Sequence, residues 1–201
     1  VEKELGLSSD DLKIVYISRL MGARGEIALR LIEALPEIEK AFPTIKLIVV
    51  GDGDKFETIN TLADNYNADA GEKKVIVTGA RLDTNLLMNL ADVAVGVGRV
   101  ALEAMAMEKP VIIAGEAGFM GLLTPEKFKR AMEHNFSGRG ATKKTDAKNI
   151  AKAIIEILKD PDCRAKLGIF GRQEVQRFFS IETMTNDVLD VYQQVMKEEN
   201  E

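Results

Sequence analysis

The residues best suited to chemistry are cations and glycines that follow apolar runs, and they suit the grip of an anion. Arg19 and Arg24 lie in the turn Ser18-Arg19-Leu20-Met21-Gly22-Ala23-Arg24-Gly25. A guanidinium offers paired N–H donors that match phosphate oxygens, so both arginines are candidates to hold a diphosphate. Two solvated loop arginines would look the same. A second stretch, Gly96-Val97-Gly98-Arg99-Val100-Ala101-Leu102-Glu103-Ala104, joins a glycine turn to a helix start. The first amides of a helix have no internal partner and sit at the positive end of its dipole. Gly98, Arg99 and Val100 would present such amides, and Glu103, one turn in, would accept hydroxyls of a ribose. The plain alternative is an acid that merely favours the helix N-terminus. Thr78-Gly79-Ala80-Arg81 ends a third run, where a base stacks or bonds to backbone, or where the chain only turns.

Other chemistries find no residues. His134 is the sole histidine, with no acid–base partner nearby in sequence, and is expected at the surface near a helix end. Cys163 is the sole cysteine, which excludes an internal disulfide and points to a reducing compartment. No Cys/His metal cluster, phosphate-binding P-loop or Gly-x-Ser-x-Gly elbow occurs, so no metal, cofactor or catalytic nucleophile is assigned. The net charge of −5 argues against nucleic acid as the main partner, and 5% aromatic residues with no Trp argue against a stacking platform. No apolar run nears the ~20 residues of a membrane span. There is no signal peptide, so a cytoplasmic address follows by elimination. The chain opens on Val1 rather than Met, in a charged stretch that reads as the end of a linker, and an excised fragment is expected.

The elements that must position these residues alternate. Continuous apolar runs at Lys13–Ser18, Lys46–Val50, Val75–Thr78, Val93–Val97 and Pro110–Ala114 predict strands covered on both faces. Amphipathic stretches at Glu26–Ala41, Lys55–Tyr66, Asp83–Leu90 and Ala101–Met107 predict the helices between them. The fold class is α/β, a doubly wound, Rossmann-like, mostly parallel sheet. Gly115–Thr124 reads as a glycine-rich loop with room for a short strand, Pro125 as the first turn of a helix to about His134, and Asn135–Thr145 as flexible. Asp146 caps a helix through Lys159; two more follow near Asp162–Phe178 and Ile181–Glu198, the last capped by Ser180 or Thr183. Residues 1–201 thus form a single domain, with about 1–11 a linker remnant and 146–201 a C-terminal helical extension.

Ligands of such sheets gather beyond the carboxyl ends of the strands, which is where the candidate residues fall. One rival uses the same place: Gly96, Gly98 and Glu116 fit a dinucleotide fingerprint and would make an NAD-dependent oxidoreductase domain. That fingerprint usually follows the first strand, and here it follows the fourth.

Five segments in series resemble the C-terminal domain of group 1 (family four type) glycosyltransferases, one half of a GT-B fold. YISRLMGARG is similar to the family's GRL…KG donor loop, FPTIKLIVVGDGDKFETI to its IVGDGP segment, and VIVTGARLDTNLLMNLADV to its FTG…AD segment. ALEAMAMEKPVIIA resembles the EAMA-GKPVIA helix and strand, and FFSIETMTNDVLDVYQQVM the closing FSWE…LY helix. The resemblance implies a nucleotide-diphosphate sugar donor, UDP- or GDP-linked, and an unknown acceptor. Arg19 corresponds to the family's phosphate-binding Arg and Arg24 to its neighbouring Lys. Glu103 corresponds to the second Glu of a paired motif, Gly98, Arg99 and Val100 to the diphosphate amides, and Gly79 and Arg81 to the base site. The first Glu of the pair is replaced by Val95, and the segment from Asp92 to Glu103 is short. That shortened turn also resembles the nucleotide-binding halves of epimerases acting on UDP-N-acetylglucosamine, and the lost Glu leaves a non-catalytic nucleotide-binding module as another reading. The implied partners are the donor, a missing N-terminal acceptor domain of the same enzyme and, for the full-length enzyme, the periphery of a membrane.

Overall fold

Alternation of buried side chains along each strand decides the layering. The computed structural model describes residues 1–198. Six strands, β1 (Leu12–Ile17), β2 (Ile45–Val50), β3 (Val75–Val77), β4 (Val93–Gly96), β5 (Val111–Gly115) and β6 (Gly118–Leu122), form one sheet in the order β3-β2-β1-β4-β5-β6. The first five are parallel and β6 pairs antiparallel with β5. Ile14, Tyr16, Leu47 and Val95 face one layer, with α2 (Gly22–Ala41), α3 (Phe56–Ala70) and α7 (Ala147–Leu158). Val15, Ile48, Val50 and Ala94 face the other, with α4 (Thr84–Asn89), α5 (Arg99–Ala106), α6 (Pro125–Glu133) and the partly buried side of α8 (Pro161–Phe179). Each fully buried Ile, Leu or Val on these faces contributes about 1.5–3 kcal/mol by leaving water. The doubly wound expectation holds.

Several expectations are corrected. The stretch 1–11, read as a linker remnant, is docked: it holds a one-turn helix α1 (Glu2–Leu5), Leu5 is buried, and Glu4 and Glu2 pair with Arg81 and Lys13. Helix α2 starts at Gly22 rather than Glu26. Its glycines read as loop residues, but Gly25 is needed inside the helix, since a Cβ there would stand 2.6 Å from Lys55 Cβ. The Gly115–Thr124 stretch forms β6. The 135–145 segment is less free than its composition suggests. Asn135 and Phe136 both take left-handed backbone (φ 50° and 52°), which turns Phe136 into a buried cluster 5.7 Å from the ring of Phe128 and 6.0 Å from that of Phe179.

The caps at Asp146 and Ser180 follow the sequence, and Asp160, just before Pro161, adds a third. Asp146 Oδ1 accepts from Asn149 N (2.8 Å), Asp160 Oδ1 from Cys163 N (2.9 Å), and Ser180 Oγ from Thr183 N (3.1 Å) at the start of α9 (Ile181–Glu198). Helix α8 lies hard against the end of α5. A Cβ on Gly168 would fall 2.1 Å from the carbonyl oxygen of Glu108, and one on Gly171 would fall 2.9 Å from Met105 Cγ. Helix α9 buries no apolar residue: Ile181, Met184, Val188, Val191, Tyr192 and Val195 are 47–81% exposed along it.

Candidate functional site

Strands β1 and β4 are neighbours, with Tyr16 beside Val95, yet the helices that follow them go to opposite faces. This is the switch point of the sheet, where the two outgoing connections part and leave a crevice. Four residues, Ser18–Met21, link β1 to α2, and only Val97 and Gly98 link β4 to α5. Neither N-cap residue, Met21 or Gly98, makes a side-chain cap bond, although the first amide of α2, Gly22 N, is taken by Asp54. Gly98 sits at φ 56°, a backbone state that favours glycine.

On the β1 side, Ser18, Arg19, Asp52, Gly53, Arg81 and Thr84 line a cleft of about 460 Å³ over the ends of β1, β2 and β3. Its floor is fixed by backbone. Ser18 N donates to Val50 O (3.0 Å), Leu20 N to Asp52 O (2.9 Å), and Gly51 N to Gly79 O (2.9 Å). A Cβ on Gly51 would lie 1.8 Å from Ser18 O, so the two turns touch through glycine. Arg19 is exposed and forms no ion pair with a described residue. Arg24 is exposed in the first turn of α2, and its carbonyl oxygen accepts from the buried Tyr16 hydroxyl (2.7 Å).

Arg81 lines the same cleft but is engaged. Its Nε and Nη2 each donate to Asp83 at 2.8 Å, and its Nη1 to Glu4 at 2.5 Å. These bonds hold the Glu4 and Asp83 carboxyls below their ordinary range. Gly79, at φ 73°, supplies the carbonyl that closes the β2–β3 turns. Gly98, Arg99, Val100 and Glu103 are on the adjacent turn and do not line the cleft, and the Gly98 amide, expected to face a diphosphate, instead donates to Phe136 O (3.1 Å). Arg99 is largely exposed, and its Nε donates to Glu103 Oε1 at 3.2 Å along one helix face. The structure therefore gathers the predicted residues into two groups on neighbouring strand ends, Arg19 with Arg81 and Gly98 with Glu103.

Sequence reasoning missed the turn Gly51–Asp54. Asp54 accepts from Gly22 N (3.1 Å), and Asp52 faces the cleft. The signal was present, a Gly-Asp-Gly-Asp run directly after a strand. Val95, at the place of the expected first Glu, is buried inside β4. The two-residue link to α5 leaves that position within the sheet rather than on the crevice. Glu116 is exposed in the β5–β6 turn, away from the turn after β1 where a dinucleotide fingerprint belongs. His134 is exposed at the end of α6, as expected. Among the described residues no His, Cys, Asp and Glu side chains gather as a metal site, and no helix is long and apolar enough to cross a membrane.

Comparison with known proteins shows the fold and the family. A putative glycosyltransferase, EpsD of Bacillus subtilis, is 29% identical over 95% of this chain and 48% of its own length. A GDP-mannose-dependent monoacylated alpha-(1-6)-phosphatidylinositol monomannoside mannosyltransferase of Corynebacterium glutamicum is 28% identical over 95% of this chain and 49% of its own length. The chain thus spans about half the length of the curated relatives it matches. The Anabaena protein HepE, solved with UDP-glucose, shares the fold with a TM-score of 0.70 at 23% identity, over 96% of this chain and 51% of that one. The family profile described as glycosyl transferases group 1 matches residues 1–174, and the chain belongs to that family.

Proposed function

We propose that the switch-point edge binds a nucleotide-diphosphate sugar and that the chain is the donor half of a glycosyltransferase. The observation that carries this reading is the exposed Arg19, which lines the cleft without an ion-pair partner among the described residues, beside the starts of α2 and α5 on adjacent strand ends, with Arg24 exposed in the first turn of α2. When the sugar departs, negative charge grows on the diphosphate. Fixed N–H donors and arginines stabilise that charge more than they stabilise the intact donor, and this lowers the barrier. Glu103 would accept the ribose hydroxyls and the turn at Gly79 would meet the base. No metal or other cofactor is needed for this role. HepE was solved with UDP-glucose and the Corynebacterium relative is GDP-mannose-dependent, so both nucleotides are candidates.

In this reading the acceptor is bound by a further domain, which also brings the remaining catalytic groups. The broad apolar face of α9 supports it: an amphipathic helix with its whole apolar stripe in water is a surface made to be covered. We place the enzyme in the cytoplasm, where nucleotide sugars occur and Cys163 stays reduced; contact of the full-length enzyme with a membrane surface would come through its other parts.

Calorimetric titration of UDP and GDP into the chain tests the site. Saturable binding that weakens in Arg19→Ala and in Glu103→Ala is expected, and unchanged affinity in both variants overturns it. Val95 favours a second reading, a module that binds nucleotide without transfer. Release of UDP or GDP from its sugar by the full-length protein would exclude that.

A further inference from the structure

The antiparallel edge of the sheet carries a second concentration of positive charge. Residues 120–159 hold nine Lys and Arg against four Asp and Glu, while the whole chain holds 27 against 32. Lys127, Arg130, Lys143 and Lys152 converge on a cleft of about 340 Å³ between β6, α6 and α7. Phe119, Met120 and Ala153 give it an apolar wall, and Glu156 is its only acidic lining residue. Lys127 Nζ is drawn inward, donating to Leu122 O (2.8 Å) and Met120 O (3.1 Å), and Arg130 donates to the carbonyl of Gly140. Lys143, Lys152 and Glu156 make no ion pair with any described residue.

Partial burial, and then the neighbouring Lys143 ammonium, hold the Lys127 ammonium below the ordinary lysine range, with Glu156 opposing. A concave surface of one charge sign focuses its field and attracts a counter-ion.

We propose that this cleft is an anion site, separate from the donor edge, that takes a compact phosphate-bearing ligand. Lys143 and Lys152 supply its exposed cations and Lys127 its fixed one. Its volume lies at the small end of ligand pockets, which suits a phosphate on a short stem. The apolar wall would receive the stem and the hydroxyl of Thr142 lies on its rim. Asn149 is not counted, since its amide already donates to Lys144 O and Asp146 Oδ2. The recess shares Lys143, Lys152 and Glu156 with the groove between α2 and α7, about 950 Å³, whose further charges are mixed, Lys148 and Lys159 with Glu33 and Glu37, so the single-sign surface is confined to the recess. This site stands or falls apart from the donor reading.

Titration with inorganic pyrophosphate, followed by two-dimensional amide NMR, reads both sites at once. The expected result is a set of saturating shifts at residues 120–122, 142–144 and 149–153. Their midpoint should weaken about tenfold in the Lys143→Ala, Lys152→Ala double variant and stay in place in Arg19→Ala. Shifts confined to 18–25 and 98–103, shifts that never saturate, or a midpoint unmoved in a double variant whose spectrum remains folded would each overturn the proposal. Vesicles of phosphatidylglycerol and phosphatidylcholine in equal parts separate the two sources of phosphate. Sedimentation with them that pyrophosphate competes away and the double variant loses assigns a lipid headgroup; pyrophosphate binding with no sedimentation assigns a soluble phosphate ester.

Discussion

The two ends of the sheet treat charge in opposite ways. At the amino end, Lys13, Lys46 and Lys74 are buried, and each is tied to carboxylates: Lys13 to Glu2 (3.3 Å), Lys46 to Glu72 (2.8 Å), and Lys74 to Glu72 (2.7 Å) and Glu39 (3.2 Å). Asp92 accepts from Lys13 N and from Arg164. At the carboxyl end, Arg19 and Arg24 stand exposed without ion pairs, and glycines at 51, 53, 79 and 98 take positive φ. The first end spends its charges on itself and closes the body. The second ties down Arg81 but leaves Arg19 and Arg24 without ion pairs on a rigid backbone, which is the condition for holding an anion.

The sharpest way to break the contrast is at the backbone of the carboxyl end. Gly51→Ala would press a methyl group onto Ser18 O, and a loss of about 3 kcal/mol or more is expected in urea unfolding, with nucleotide affinity falling as well. An unchanged midpoint would mean the two turns do not touch as described. Arg19→Ala should do the reverse. It should weaken UDP or GDP binding by about 2 kcal/mol, read by calorimetry, with stability held within about 0.5 kcal/mol. Lys74→Met at the amino end should cost about 1–2 kcal/mol of stability, because the Pro43 carbonyl, Glu39 and Glu72 lose a shared partner, and should leave nucleotide affinity alone. If affinity drops instead, the two ends are not independent.

The smallest effect is one of pH. Hydrogen bonds from Lys46 and Lys74 hold the Glu72 carboxyl down to about 2 from an ordinary 4.5. A depressed carboxyl stabilises the fold above its unfolded value, and that contribution fades as pH falls from 4.5 toward about 2. Glu72→Gln should therefore flatten the acid side of a stability-against-pH curve, modestly, since Glu72 is half exposed and screened by water.

Much of this contrast was legible in residue order. Val-, Ile- and Leu-rich runs marked the five parallel strands, because a strand covered on both faces must be apolar throughout. The caps at Asp146 and Ser180 were readable because a short polar side chain before a helix has one job there. Strand β6 was readable only as room for a short strand within a loop, since Gly118, Phe119, Met120 and Gly121 lack the β-branched signature and the strand exists by pairing with β5. The left-handed pair Asn135–Phe136 was hidden, because no glycine announces it and it is held by the aromatic cluster and by backbone bonds to Ala131 and Gly98. At the site, the turns bearing Arg19 and Gly98 were found from type and spacing. The engagement of Arg81 by Glu4 was beyond reach, since it joins residues 77 positions apart through a helix read as a linker.

The tight seat of α8 on α5 makes the short helix a lever. Helix α5 spans eight residues, about 12 Å, with its head at the crevice and its foot clamped at Gly168 and Gly171. A methyl group added at 168 has no room against the Glu108 carbonyl just past that foot, although position 168 touches nothing at the crevice. The placement of Glu103 is then expected to respond from the far end of the helix that bears it, and a lower nucleotide affinity in a folded Gly168→Ala variant checks this.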